Sequence, residues 1–243
     1  MSLFSLAGKT IIVTGAARGN GLAICEGLQQ NGALVIGVDK SVSLNTEFAN
    51  FAVDITNKHD VSKLIGTVIE KFGSIHGLVN NAGISLASDI PHFDHDVYEK
   101  TLSVNLDAVF YLTSLLCQHM AKFQAGSIVN ITSLGAEQGF PGNPAYQISK
   151  AGVKQLTKAF ACDWGMQGIR LNNLCPGYIK TSMTQASFND PLLNEQRRSR
   201  TMLDRWGESD DLVGAVVFLL SNASSYITGS TIYVDGGWTS KGF

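Results

Sequence analysis

Charge is scarce in this chain. Only 16% of its 243 residues are Asp, Glu, Lys or Arg, against about 25% in an ordinary globular domain. The 18 basic and 20 acidic residues leave a formal net charge of −2 with no basic block, which argues against nucleic acid as a partner. Long apolar runs are missing too. The stretch Leu212 to Leu220 toward the C-terminus is nine residues, about half of a membrane span, so no membrane partner is expected. Met1 to Leu6 shows neither a positive n-region nor a long apolar h-region, so no secretory signal is expected. Cys25, Cys117, Cys162 and Cys175 lie far apart with no C-x-x-C. That spacing excludes a zinc framework and reads as reduced thiols of a cytoplasmic protein. Low charge also leaves less polar surface than a lone monomer carries, which points to a homo-oligomer.

Glycine, by contrast, is plentiful, at 25 residues. A chain of this length buries roughly 70% of its extended surface, so a sizeable core needs no disulfides. Apolar runs of strand length alternate with helix-length periodic segments. Predicted strands are Thr10 to Val13, Ala33 to Val38, Phe51 to Val53, Gly77 to Val79, Gly126 to Ile131, Ile169 to Leu174 and Ser230 to Val234. Predicted helices are Leu22 to Gln30, Asp60 to Phe72, Leu102 to Met120, Tyr146 to Trp164 and Asp210 to Leu220. This alternation predicts an α/β fold: one Rossmann-type, doubly wound parallel sheet of about seven strands, with helices on both faces. Residues 1–243 read as a single domain. Pro176 to Arg205 is the least regular stretch, and a long irregular segment in such a domain is usually a functional loop. A substrate lid is expected around residues 178–205.

Two constellations carry chemistry. Thr14-Gly15-Ala16-Ala17-Arg18-Gly19-Asn20-Gly21 follows a strand and opens a helix, where free helix amides can meet a pyrophosphate. Glycine turns also serve packing, and the spacing here is G-x-x-x-G-x-G. Asp39, 24 residues after Gly15 at the end of the second strand, shifts the balance, because an acid there can hold adenosine ribose hydroxyls. It would also repel a 2′-phosphate, so NAD is expected over NADP, although Arg18 and Lys40 lie close in sequence and pull the other way.

The second constellation is Ser133, Tyr146 and Lys150. Tyr146 and Lys150 are four apart and share one helix face. A free phenol has a pKa near 10, and a nearby ammonium favours the phenolate, so the pair can exchange a proton with an alcohol or carbonyl oxygen. Other candidates are weaker. The run His92-Phe93-Asp94-His95-Asp96 has no further cluster to complete a metal site; it reads as a segment that precedes or caps a helix, and no metal is expected. Arg197, Arg198, Arg200 and Arg205 crowd the lid, where they either meet an acidic substrate or are solvated or intersubunit side chains. Cys175 reads as a buried strand residue.

Over its whole length the chain resembles the short-chain dehydrogenase/reductase family. The matching pieces are the Thr14 to Gly21 turn, Asp54-Ile55, Asn80-Asn81-Ala82-Gly83, Val104-Asn105, Ile131-Thr132-Ser133, Tyr146 to Lys150 and Pro176 to Thr181. The resemblance implies that Tyr146 is the catalytic acid/base, and that Lys150 lowers its pKa and holds the nicotinamide ribose. Ser133 would bind the reacting oxygen, and Asn105 would anchor a water in a proton relay. For the cofactor it implies the turn with Gly15, Arg18, Asn20 and Gly21; Asp39 at the ribose; Asp54 and Ile55 at the adenine; and Asn81, Ala82 and Gly83 at the adenosine-side ribose. Pro176, Gly177, Ile179 and Thr181 would fix the nicotinamide. Asn20 departs from the family pattern, in which many members carry an apolar residue. The segment from Arg205 through Ser224 to Trp238 is similar to sugar-acid and polyol members, those like gluconate 5-dehydrogenase and 2-deoxygluconate 3-dehydrogenase. The resemblance therefore implies NAD(H)-dependent interconversion of a secondary alcohol and a ketone on a small sugar, sugar acid or polyol, by a homotetramer. Two alternatives share the motifs: a 3-oxoacyl carrier-protein reductase, and a non-catalytic nucleotide-binding scaffold. For the tetramer, the helices Leu102 to Met120 and Tyr146 to Trp164 would form one interface, with small residues Ala108, Ala151, Gly152 and Ala159. The Asp210 to Leu220 helix and the last strand would form the other, on the apparent apolar excess of Val213, Val216, Val217 and Leu220.

Overall fold

A strand with apolar residues on both faces must be covered on both, and this holds for Thr10–Thr14 (β1), where Ile11, Ile12 and Val13 alternate between the faces and the strand is buried throughout in the computed structural model. Residues 2–41, 47–87 and 92–242 are described. The elements that follow are α1 (Gly19–Gln30), β2 (Leu34–Asp39), β3 (Ala49–Ala52), α2 (Lys58–Phe72), β4 (Gly77–Asn80), α3 (His95–Leu102) and α4 (Ala108–Met120). Then come β5 (Gly126–Ile131), α5 (Pro144–Trp164), β6 (Ile169–Pro176), α6 (Gln185–Asn189), α7 (Pro191–Arg200), α8 (Val213–Leu220) and β7 (Thr231–Val234).

The seven strands form one sheet in the order β3-β2-β1-β4-β5-β6-β7, every neighbouring pair parallel. Successive residues of β1 face opposite sides. Ile11 and Val13 join α1 and α8 in one core layer, whereas Ile12 joins α2, α4 and α5 in the other. The connections diverge between β1 and β4, and the crevice at the carboxyl ends of the strands there is where such sheets bind ligands.

The expected α/β class, the parallel sheet and the order of alternation hold. Several boundaries differ. The helix predicted from Leu102 begins earlier, at His95, because Asp94 caps it by accepting from the amides of Asp96 and Val97. It is interrupted by a π-helical turn at Ser103–Asp107 before α4. The stretch expected to be irregular holds α6 and α7. The segment expected as one helix from Asp210 opens with a 3-10 turn at Ser209–Leu212. Its apolar residues are not in excess: Val216, Val217 and Leu220 are buried in this chain's own core, and Val213 packs so closely on Gly27 of α1 that an added Cβ would come within 2.2 Å of it. Two of the small residues assigned to an interface also serve internal packing. Ala108 is buried, and a Cβ on Gly152 would stand 3.0 Å from Leu106.

Candidate active site

The glycine turn is built by close approach. Gly15 has φ +68°, and a Cβ there would stand 2.9 Å from the Ala82 Cα; a Cβ on Gly21 would lie 1.9 Å from the Gly15 carbonyl oxygen. Asn81 locks this contact by donating from Nδ2 to the carbonyls of Thr14, at 2.9 Å, and Gly15, at 3.2 Å. The Thr14 hydroxyl accepts from the amides of Asn81 and Ala82, each at 3.1 Å. The N-terminus of α1 has no side-chain cap from Arg18 and no acid in its first turn. Such a donor set, unopposed by acceptors, fits a phosphate.

Asp39 stands beside this turn, its Oδ2 accepting from the Ala17 amide at 3.2 Å and its Oδ1 from Ser41. Arg18 is exposed. Lys40 is not free, since its Nζ lies 2.9 Å from Asp54 Oδ2. The Asp54 carboxyl is held below the usual carboxylate range: its slight burial is outweighed by Lys40 and the two bonds from Thr56. Ile55 is buried in the α2 layer. Asn20, the departure from the family pattern, has a definite partner, for its Oδ1 accepts from the Ser209 hydroxyl at 2.9 Å. It therefore ties the start of α1 to the turn before α8.

At the ends of β4, β5 and β6 the second constellation assembles. Ser133 follows β5 and caps a short turn, accepting from the Gly135 amide. Tyr146 and Lys150 lie on the first turns of α5. Lys150 is 4% exposed, donates to the Ile131 carbonyl at 2.8 Å, and is pushed down by burial to about 8. Its ammonium is 6.0 Å from the centroid of the Tyr146 ring. The Tyr146 phenol is raised above 10: burial dominates, the nearby Cys175 and Tyr178 add to it, and the Ser133 hydrogen bond opposes them. Burial leads this balance, with the Lys150 ammonium standing beside the ring.

Asn105 sits in the π-helical turn, a distortion common at functional sites. Its side chain is fully engaged: Oδ1 accepts from the Ile84 amide at 2.9 Å, while Nδ2 donates to the Ile84 carbonyl at 2.8 Å and to Ser149 Oγ at 3.1 Å. Ser149 in turn donates to the Tyr146 carbonyl. Gly83 completes the pocket floor, where a Cβ would meet Asn105 Oδ1 at 3.3 Å and Lys150 Nζ at 3.6 Å.

Beyond Pro176, the last residue of β6, Gly177 packs so tightly that a Cβ would lie 2.7 Å from the Asp235 Cα. Ile179 bridges Gly207, joining the two ends of the lid segment. Thr181 lies across the glycine turn, its methyl 3.6 Å from where a Gly19 Cβ would be. One feature was not legible in the sequence. An aromatic wall runs from Phe188 through Trp206 and Tyr178 to Trp238, with successive ring centroids 5.3, 5.4 and 5.0 Å apart. The only sequence signal for it is the aromatic residue after Pro176-Gly177. The His92 to Asp96 run supplies the α3 cap, with Phe93 edge-on to His95; among the described residues no three His, Cys, Asp or Glu side chains gather.

The family model described as enoyl-(acyl carrier protein) reductase matches residues 15–239. The chain is 37% identical to gluconate 5-dehydrogenase of Gluconobacter oxydans, over 98% of this chain and 97% of that one. It is 39% identical to 2-dehydro-3-deoxy-D-gluconate 5-dehydrogenase of Bacillus subtilis, again over 98% and 97%. The crystal structure of a gluconate 5-dehydrogenase from Burkholderia cenocepacia, in complex with NADP and tartrate, superposes with a TM-score of 0.94 at 34% identity, covering 98% of each chain. With the dinucleotide turn, the serine at the strand end and the Tyr–Lys pair all in one crevice, these matches establish that the chain belongs to the short-chain dehydrogenase/reductase family of oxidoreductases.

Proposed function

We propose that the protein is an NAD(H)-dependent dehydrogenase that interconverts a secondary alcohol and a ketone on a sugar acid. The observation that carries this reading is the gathering of Ser133, Tyr146 and Lys150 at the ends of β5 and α5, beside a turn suited to a dinucleotide. The substrate class is supported by the relatives that act on gluconate and ketodeoxygluconate, and by the tartrate, itself a hydroxy acid, in the Burkholderia structure.

The cofactor would lie with its phosphates on Gly15, Arg18, Asn20 and Gly21, its adenosine between Asp39, Asp54, Ile55 and Asn81 to Gly83, and its nicotinamide against Pro176, Gly177, Ile179 and Thr181. When bound, it takes or gives the hydride. The residues handle the proton. Ser133 holds the reacting oxygen by a hydrogen bond, and Tyr146 takes the alcohol proton in oxidation or returns one to the ketone oxygen in reduction. Lys150, still charged at pH 7, steadies the negative charge that grows on the phenol oxygen. Asn105 positions the Ile84 backbone and Ser149 around that pair. The lid, residues 178–205, closes over the substrate.

NAD is favoured over NADP because the Asp39 carboxylate would face a 2′-phosphate, and because Lys40 already spends its charge on Asp54. The Burkholderia relative binds NADP, so the preference proposed here rests on Asp39 and Lys40 of this chain alone. The free state of all four cysteines among the described residues supports a reducing, cytoplasmic setting, and a homotetramer is the proposed assembly. One experiment tests the core of this reading. Fluorescence titration should show NADH bound at least about tenfold more tightly than NADPH, and Tyr146→Phe should keep NADH binding while turnover of sugar acids falls by about 10²-fold or more. Substantial turnover in that variant would displace Tyr146, and turnover of acyl ketones in place of sugar acids would replace the substrate class.

A further inference from the structure

Arginines 197, 198, 200 and 205 crowd the lid, and the structure separates them. Arg198 forks onto Glu195 at 2.8 Å and pairs with Asp204. Arg205 forks onto Asp211 at 2.7 and 2.8 Å. Arg200 covers the ring of Trp238 at 4.8 Å. Arg197 has no carboxylate partner among the described residues. Its guanidinium carbon lies 4.7 Å from the centroid of Tyr178, and its Nη1 is buried from water without a hydrogen-bond partner.

A buried donor without an acceptor is costly, and more so when it is charged. Stacking on an aromatic ring occupies only the face of the guanidinium and leaves its donors free in the plane, in the fork that matches a carboxylate. The location is informative as well. Tyr178 packs against Leu134, the neighbour of Ser133, and against Cys175 at the end of β6, so the ring that carries Arg197 borders the site of proton transfer. In a six-carbon sugar acid, carbon 5 and the carboxylate carbon are four carbon–carbon bonds apart, roughly 5 Å, so a carboxylate held beside this ring leaves the reacting carbon within reach of that site.

We propose that Arg197 binds the carboxylate of the sugar-acid substrate and so selects acids over neutral sugars and polyols. This rests on the sugar-acid reading above. Binding, with the lid shifting to open the buried Nη1, would give it its missing acceptor, and Tyr178 would set the distance between the bound carboxylate and the carbon that reacts.

The test compares two substrates in three proteins: wild type, Arg197→Met and Arg197→Lys. The acid is whichever of D-gluconate and 2-dehydro-3-deoxy-D-gluconate is turned over best, and the neutral partner is D-glucitol. Arg197→Met should lower the acid-to-glucitol ratio of kcat/KM by about 30-fold, mainly through KM for the acid. Arg197→Lys should recover part of the ratio, since it keeps the charge and loses the fork. NADH affinity, read by fluorescence in all three, should stay within about twofold. Equal losses on acid and glucitol, or an unchanged ratio in folded variants, would overturn the proposal. A large loss of NADH affinity would overturn it too, by making Arg197 a cofactor phosphate ligand. Wild type that oxidises glucitol and neither acid would fail the sugar-acid reading itself, a result distinct from the variant outcomes.

Discussion

Lys150 carries a positive charge into a site where its hydrogen-bond acceptor is a neutral backbone carbonyl, that of Ile131. Burial lowers its pKa from 10.5 to about 8, which corresponds to about 3 kcal/mol of folding free energy at neutral pH. The sign follows from linkage: the depressed native value means that the penalty is fully present below about pH 8 and vanishes as pH rises to about 10.5. Lys150→Met would remove the charge and leave the Ile131 carbonyl unpaired, a loss of about 1–2 kcal/mol. The net gain is about 1–2 kcal/mol, or about 2–8 °C in Tm at pH 7 for a chain of this size. Turnover should be lost, and thermal scans at pH 7 and pH 10.5 should show the Tm gain at pH 7 turning into a loss at pH 10.5, where the charge penalty is gone and the lost Ile131 hydrogen bond remains. A variant less stable than wild type at pH 7 would mean that the lysine is compensated in the fold. At this scale, much of the site could be read in advance. Tyr146 and Lys150 follow from helical spacing, and the glycine turn with Asp39 from the strand pattern. What Asn20 and Arg197 touch could not be read, because each depends on residues distant in the chain or across the lid.

Two histidines close the edge of the molecule where β1 and β4 begin. His76 Nδ1 accepts from the Thr10 amide, and His119 Nε2 from the Ile75 amide, each at 3.1 Å. Both rings act as neutral acceptors, a role that protonation ends. Burial, then Lys9, lowers the His76 pKa below 6.5; burial, then Lys122 and His76, lowers that of His119. Native values below the unfolded value mean a contribution that is complete above pH 6.5 and lost as pH falls through the lowered values. The urea midpoint should therefore drop between pH 7 and pH 5, with about 1 kcal/mol at stake in each bond. The double variant His76→Gln, His119→Gln, which keeps an acceptor without titrating, should flatten that dependence. An unchanged slope in the double variant would place the pH sensitivity elsewhere. Element by element, β1, β2 and β4 were legible because a buried parallel strand is largely an apolar run. α7 was not, since its only apolar side chains, Leu192 and Leu193, are exposed and it shows no stripe. Its start was nevertheless written in the sequence: Asp190 accepts from the amides of Leu192 and Leu193, and Pro191 occupies the first turn, a pairing of cap and proline that marks a helix N-terminus. The π-helical turn at Asn105 has no such mark, because an extra residue in a helix leaves no periodic signature short enough to detect.

Several large apolar side chains of the molecule stay exposed, and not all of them where the sequence placed an interface. α8 is covered by α1 and the sheet. α5, however, keeps an outer stripe at helical spacing, formed by Ile148, Ala151, Gln155, Ala159 and Cys162, all exposed. Ile148 is 50% exposed, and Phe110 of α4, 54% exposed, stands edge-on to Phe160. At the opposite edge of the sheet, β7 is the terminal strand, with Tyr233 half-open and Tyr226 fully exposed. An unpaired edge strand is normally shielded by charge or by a partner, and β7 itself, Thr-Ile-Tyr-Val, carries no charge. Two separate faces, one helical and one at a strand edge, would close the proposed assembly into a tetramer of two-fold symmetry if each paired with its own copy. Because α5 carries Tyr146 and Lys150 on its inner side, pairing along its outer stripe would stiffen the catalytic helix. Gel filtration with light scattering should give about four times the 26.0 kDa chain mass. Ile148→Glu together with Ala151→Glu should split the particle into smaller species, with turnover falling as it does so. A monomer fully active at micromolar concentration would overturn the assembly, and with it the link between the outer face of α5 and the proton-transfer pair on its inner face.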